Sequence, residues 1–156
     1  MPIMTFGKLK QRPDLWPLYI AAAGWLLFTL VTQLWPGSFW LEVRSVRVQN
    51  GAAGASIVMR VDREIKRPFA AVWTAQVRTV RESGEGYVAC TASAYSEYKD
   101  GAELPEMLTL DWWTDGRCAT LPAGRYMLST AWRINPNGIW PSNIVRADSN
   151  VFEVKP

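Results

Sequence analysis

The sequence predicts a membrane-spanning α-helix followed by an all-β domain, an antiparallel β-sandwich of roughly seven or eight short strands. Residues 15–41 contain no charged side chain, and the segments after them alternate apolar and polar residues. Turn-forming Gly, Pro, Asn and Asp residues separate these segments. We therefore expect a cytoplasmic basic tail over 1–14, a transmembrane signal-anchor helix over 15–36 and an extracytoplasmic β domain over 41–156.

The predicted span is the apolar stretch between Trp16 and Trp35. As a helix it would be about 30 Å long, which is close to the hydrocarbon thickness of a bilayer. Trp16 stands at one end, and Trp35 and Trp40 stand at the other, where indole rings favour the membrane interface. No cleavage signal follows the apolar run, so the helix is expected to be retained as a single-pass anchor.

Charge predicts the orientation of the span. The first 14 residues hold Lys8, Lys10 and Arg12 against a single acid, whereas residues from Glu42 onward hold 14 basic and 13 acidic side chains. The positive-inside rule then leaves the tail in the cytoplasm and places the β domain on the other side of the membrane. Because the basic excess belongs mainly to the tail, no nucleic-acid partner is expected.

One face of the predicted helix carries Trp25, Thr29, Thr32 and Gln33. The threonine hydroxyls can bond to carbonyl groups of their own helix, and Gln33 can reach the interface. Alternatively, this face makes a helix–helix contact, because polar groups in lipid gain from a partner. Both interpretations remain open.

The β domain shows a period of two in several runs. Residues 57–61, 69–77, 108–112 and 126–134 each present one apolar face. Residues 41–48 are expected to form the first strand, 87–90 a short one and 151–154 the last. Trp73 and Trp132 fall on apolar faces, and Trp112 is expected in the core with Trp113 on the opposite side. Turn signals lie at 83–86, 99–101, 115–116, 122–124 and 135–138.

The chain has no histidine. This removes the usual general base, the commonest metal ligand and every Ser-His or Cys-His dyad, so we expect no enzymatic activity and no cofactor. The two cysteines, Cys90 and Cys118, are expected to form a disulfide in an oxidising compartment, with two separate buried thiols as the alternative. A metal site is not expected, because no histidine or C-x-x-C pair completes a ligand set.

Two segments carry candidate binding residues. In the segment 111–116, Asp111, Trp113 and Asp115 could bind a glycan through stacking and hydroxyl hydrogen bonds, or they could serve only a turn and the core. The mixed charges of Asp62–Arg67 are interpreted as a solvated strand end.

Two resemblances extend this interpretation. The phrase Leu121–Tyr126, running into Leu128 and Trp132, resembles the late hairpin of immunoglobulin-like domains, which implies an Ig-like sandwich. The segments 41–46, 108–113 and 149–154 together are similar to uncharacterised phage- or prophage-encoded bacterial single-pass membrane proteins. That second resemblance implies a bacterial inner-membrane location, with the β domain in the periplasm, and a role in host takeover, exclusion or lysis. It supplies no catalytic residues.

Three classes of function remain. The leading one is a membrane-anchored, extracytoplasmic, non-enzymatic module that contacts the lipid bilayer and binds a protein partner in the envelope. The alternative is a glycan- or peptidoglycan-binding module that uses exposed tryptophans. An enzyme is the third. A row of exposed coplanar indoles would favour a glycan, whereas buried indoles would favour a protein partner.

Overall fold

The computed structural model describes residues 15–81, 86–136 and 140–156, without the side chain of Gln33. The basic tail expected over 1–14 and parts of the turns expected at 83–86 and 135–138 therefore lie outside the described residues. The chain divides into two compact units, one ending at Trp35 and one running from Pro36 to Pro156. The first contains the helix α1 (Trp16–Gln33), and the second contains the β-sheets.

The expected membrane span is wrong. No helix in the part of the chain that the structure describes combines the length and the apolar character needed to cross a bilayer. Helix α1 has 18 residues, about 27 Å, against a hydrocarbon layer of about 30 Å. Pro17, Tyr19 and the polar residues of its last two turns also reduce its apolar character. The signal anchor, the single-pass inner-membrane location and the periplasmic placement depended on this span, and they are corrected with it.

The second unit is mostly β and contains two sheets. After a 3-10 turn (Gly37–Phe39) come eight strands and one short helix: β1 (Leu41–Val48), β2 (Gly51–Ala52), β3 (Val58–Ile65), β4 (Phe69–Thr79), β5 (Val88–Tyr98), β6 (Met107–Thr109), α2 (Leu110–Trp113), β7 (Gly124–Asn135) and β8 (Asn143–Lys155). One sheet has the order β1-β3-β6 and the other β2-β8-β7-β4-β5. The sequence predicts a transmembrane helix before an antiparallel Ig-like sandwich, and this fold class is wrong. The structure is instead mostly β, with one sheet of three strands and one of five.

Most neighbouring strands pair antiparallel, but β2 pairs parallel with β8 through Gly51 and Val154. Within the larger sheet, β4 lies between β5 and β7. The alternation over residues 58–65, 69–79 and 124–135 places one apolar face of each strand in the core, because side chains point to opposite faces in turn. The core is therefore assembled from inward-facing residues of both sheets.

The segment 107–113 is expected as one strand, and this prediction is wrong. Its strand ends at Thr109, and residues 110–113 form the helical turn α2. Thr109 Oγ1 accepts a hydrogen bond from the N–H of Trp112 at 3.3 Å, which caps that turn. The change from a period of two to about 3.6 places Leu110 and Trp113 in the core and Trp112 on the surface.

Asn150 joins the two sheets through its side-chain amide. Its Oδ1 accepts from the N–H of Val48 and its Nδ2 donates to the carbonyl of Val48, both at 2.9 Å. Replacing Asn150 with Ala is expected to lower the free energy of unfolding by about 1–2 kcal/mol, because two backbone groups lose their partner. Urea unfolding measures the change. Gln49→Ala, at an exposed position close to Val48, should alter it by less than about 0.5 kcal/mol; equal losses at both positions would contradict the role of Asn150.

Candidate interaction site

Strand β5 forms an open edge of the five-stranded sheet. It pairs with β4 on one side, and no described strand pairs with its other side. Seven of its 11 residues are exposed, and only Ala92 is buried. An edge strand leaves a row of backbone N–H and C=O groups without strand partners, which is a template for another strand. This edge is the candidate interaction site of the second unit.

The edge of β5 lacks the devices that usually block strand addition. Residues 88–98 contain no lysine, arginine or proline, and their single charge is Glu97. The other edges differ: β2 and β6 have two and three residues, and β1 carries three charges and a bulge between Val43 and Ser45. The part of β8 that β2 leaves uncovered carries Arg146, Asp148 and Glu153. Short length, charges and bulges are the features by which proteins protect sheet edges. Among the described edges, β5 is the long one without them.

One face of β5 looks into the space between the sheets. Ala92, Ala94 and Ser96 pair with Ala75, Trp73 and Ala71 of β4. Residues paired across neighbouring strands point to the same side, and Ala71 and Ala75 are buried. Ala94 therefore faces inward. It is nevertheless exposed, so the space between the sheets opens to solvent beside the second half of β5.

Three tryptophans line this opening and the core behind it. The ring of Trp113 lies 6.2 Å from the ring of Trp73 and 6.0 Å from the ring of Trp132. Trp132 is fully buried and pairs with Trp73 across the sheet. Trp73 is half-buried, and its Nε1 donates to Ser96 Oγ of β5 at 3.2 Å. The tryptophan cluster (Trp73, Trp113, Trp132) thus supports the inner face of the edge strand.

The loop after α2 holds Trp113 in place. The buried hydroxyl of Thr114 donates to the carbonyl of Leu110 at 2.7 Å and accepts from the N–H of Cys118 at 3.3 Å. Asp115 and Gly116 adopt positive φ angles of 53° and 71°, which close the turn. The structure brings Cys118 to Cys90 of β5 in disulfide geometry, with Cα atoms 5.8 Å apart. This link connects the loop to the edge strand.

Arg63 is an inward-facing cation at the same opening. It follows Met59 and Val61 at a spacing of two along β3, and both of those residues are buried. Its guanidinium carbon lies 5.5 Å from the ring centroid of Trp113, a cation–π distance. Strand β6 pairs with β3 only over Val58–Arg60, so Arg63 lies beyond the covered part of β3. The mixed charges of the sequence predict a solvated strand end here. Glu64, Lys66 and Arg67 are exposed as expected, whereas Arg63 faces inward.

The charge of Arg63 is poorly compensated. Its Nε is buried and has no hydrogen-bond partner, and among the residues described here it makes no ion pair. Burial lowers the pKa of its guanidinium, and Tyr98 acts in the opposite direction. Arginine stays protonated in proteins, so a cation is held at a partly desolvated position. Such a position costs stability unless something pairs with the charge.

The residues expected to bind a glycan are not assembled on one surface. Trp113 is 4% exposed and lies in the core, so its ring faces are covered. Asp111 accepts a hydrogen bond from Ser56 Oγ at 2.8 Å, and Asp115 occupies the turn. Of the six tryptophans in 36–156, only Trp112 is exposed, at 65%. A row of exposed indoles is therefore absent from this unit, all of whose tryptophans the structure describes.

The three tryptophans assigned to the membrane interface have different environments in the structure. Trp40 is buried, with its ring 5.1 Å from Phe39 and 6.0 Å from Trp140. Trp16 is exposed on α1, and Trp35 is half-buried just after the helix. The interface role of all three depended on the corrected span.

On α1, the Thr29 and Thr32 hydroxyls donate to the carbonyls of Leu26 and Thr29 at 2.9 and 3.0 Å. Trp25 is exposed, and the side chain of Gln33 lies outside the described residues. The helix–helix contact stays a prediction.

The sequence does not single out Arg63 or most of β5. It predicts a strand only over residues 87–90, because the inward positions of the rest of β5 include the small residues Ala92, Ala94 and Ser96, which give a weak apolar alternation. The alternation of Met59, Val61 and Ile65 around Arg63 was the available signal, since it puts Arg63 on the apolar face.

No protein-family model matches the chain, and a comparison with curated proteins finds no match. The similarity to phage-encoded proteins therefore stays a prediction.

Proposed function

We propose that this chain is a non-enzymatic protein-interaction module that binds an extended segment of a partner protein along the open edge of β5. The observation that carries the proposal is a single one: β5 is a long, exposed edge strand without lysine, arginine or proline. A partner strand placed beside it would satisfy its open backbone groups, as in other cases of strand addition.

The size of the edge suits this mode of binding. A six-residue segment extends over about 20 Å, which β5 accommodates within its 11 residues. Backbone pairing supplies affinity that depends little on sequence, and alternate side chains of the added strand supply specificity. The tryptophan cluster and the link from Cys118 to Cys90 hold the edge strand in its binding conformation, which reduces the entropic cost of association.

The pattern of exposed tryptophans supports a protein partner over a glycan. Glycan binding through stacking needs exposed aromatic faces. Among the tryptophans of the second unit, all of which the structure describes, only Trp112 is exposed. The absence of histidine from the sequence supports a non-enzymatic role.

Selection of peptides tests this function. A display library of random 12-residue peptides is selected on the full chain, and the enriched peptides are synthesised with amidated C-termini. Their addition to isotope-labelled protein should slow hydrogen exchange of the amides in Val88–Tyr98 more than in β1 or β8. Neighbouring residues of a strand direct their N–H groups to opposite sides. One of the two variants Ser93→Pro and Ala94→Pro therefore removes an N–H that points away from β4, and it keeps the hydrogen bonds between β5 and β4.

The proline variant that retains the thermal midpoint of the wild type should bind the peptides at least about tenfold more weakly. The matched control is Ser93→Ala or Ala94→Ser at the same position, which keeps the N–H and should bind like the wild type. Equal binding to the proline variant, protection centred on other strands, or no enriched peptide would overturn the proposal. A dimer in sedimentation that the proline variant abolishes would assign the edge to a second copy of the chain and would also overturn it.

A further inference from the structure

Arg63 offers a charge that no acidic side chain in the described part of the chain neutralises. Neighbouring acids are committed elsewhere: Asp62 and Glu64 form ion pairs with Arg44. The carboxylate of Glu106 pairs with Arg60 at 3.1 Å. Within the described residues, therefore, no acid pairs with the inward-facing guanidinium, and its buried Nε lacks an acceptor. The chemistry missing from this position is that of a carboxylate.

An added strand would bring side chains to this position. A strand paired with β5 lies about 4.8 Å beyond it, and alternate side chains project into the space between the sheets. Packed sheets are about 10 Å apart, a gap that an arginine and a glutamate or aspartate span together. On this face of β5, Ala94 and Ser96 carry small side chains, and Tyr98, whose electrostatic effect reaches Arg63, follows them.

The surroundings of Arg63 favour a planar, bidentate acceptor. Trp113 lies against the guanidinium at 5.5 Å and fixes its position. The Nε of Arg63 is without a hydrogen-bond partner. Guanidinium groups present their N–H donors in a fork that matches the two oxygens of a carboxylate. Because the pair would be shielded from water by the added strand, its contribution would exceed that of a surface ion pair.

From this charge complementarity we propose that the segment bound along β5 carries an Asp or Glu side chain that points between the sheets and pairs with Arg63. This inference rests on the proposed function, since it names the chemistry of the partner at the same site. Arg63 then selects the register of the partner strand, and the backbone of β5 supplies the general affinity.

Two display libraries separate the inference from the function beneath it. One contains random 12-residue peptides, and the other is identical but lacks Asp and Glu. Both are selected on the full chain, and the peptides are again tested with amidated C-termini. We expect that peptides from the first library share an acidic residue at one position, and that changing this residue to Asn or Gln weakens binding about 10- to 100-fold.

The variant Arg63→Met should produce the same loss, because methionine keeps an apolar contact with Trp113 but removes the charge. With the Asn or Gln peptide, Arg63→Met should produce little further loss, which identifies the two groups as a pair. The matched control is Arg60→Met, on the same strand but exposed and facing the opposite side. It removes an equal charge and should leave the affinity unchanged. Thermal unfolding checks that both variants are folded.

The outcomes distinguish the two proposals. Peptides from the acid-free library that bind β5 as tightly as the others would overturn the role of Arg63 and leave strand addition in place. Equal losses for Arg63→Met and Arg60→Met would reduce the effect to net charge and would also overturn it. If neither library yields peptides that protect β5, the proposed function fails, and this inference fails with it.

Discussion

Replacing Trp132 with Ala is expected to lower the free energy of unfolding by about 3–5 kcal/mol, which is a large part of the stability of a typical domain. Trp132 is 1% exposed, lies opposite Trp73 on β4 and packs 6.0 Å from the ring of Trp113. Its removal would leave a large cavity between the sheets. Denaturant unfolding followed by circular dichroism measures the loss.

Trp112→Ala is the matched control, because it removes the same side chain from an exposed position of the same unit. It should change the free energy of unfolding by less than about 0.5 kcal/mol. Trp73→Ala should fall between the two, since Trp73 is half-buried and loses a hydrogen bond to Ser96. A loss below about 1 kcal/mol for Trp132→Ala would mean that the tryptophan cluster does not form the core.

Breaking the link between Cys90 and Cys118 is the second large effect we expect. The cysteines are 28 positions apart and meet in disulfide geometry. Closing a loop of this length should contribute about 3–4 kcal/mol by restricting the unfolded chain. Urea unfolding with and without reductant measures the difference. Because Cys90 belongs to β5, the amides of the edge strand should also exchange faster after reduction.

The control is a Cys90→Ser/Cys118→Ser double variant, whose stability should match that of the reduced wild type and should not respond to reductant. Intact-mass measurement after alkylation establishes the pairing directly. Two freely alkylated thiols in protein purified without reductant would contradict the disulfide.

Most of the strands are predicted correctly from the sequence. The strand expected over 41–48 is β1, and the alternation over 57–61, 69–77 and 126–134 correctly indicated β3, β4 and β7. These strands have one buried and one exposed face, so apolar and polar residues alternate along each of them. The absence of histidine and the presence of only two cysteines also restrict the chemistry open to the chain, because composition alone removes the usual general base and most metal-ligand sets.

Only the folded structure reveals the features on which the proposed function depends. Whether a strand lies at an edge depends on which strands pair, and the Ala- and Ser-rich sequence of β5 gives no sign of this. The helical turn α2 buries Trp113 and exposes Trp112, the reverse of what a strand would do, because side chains repeat every 3.6 residues in a helix and every two in a strand. The apolar stretch at 16–35 formed a helix of only 18 residues, since local composition does not set where a helix ends. Arg63 became a candidate binding residue only when the sheets placed it against Trp113, beside an open strand edge.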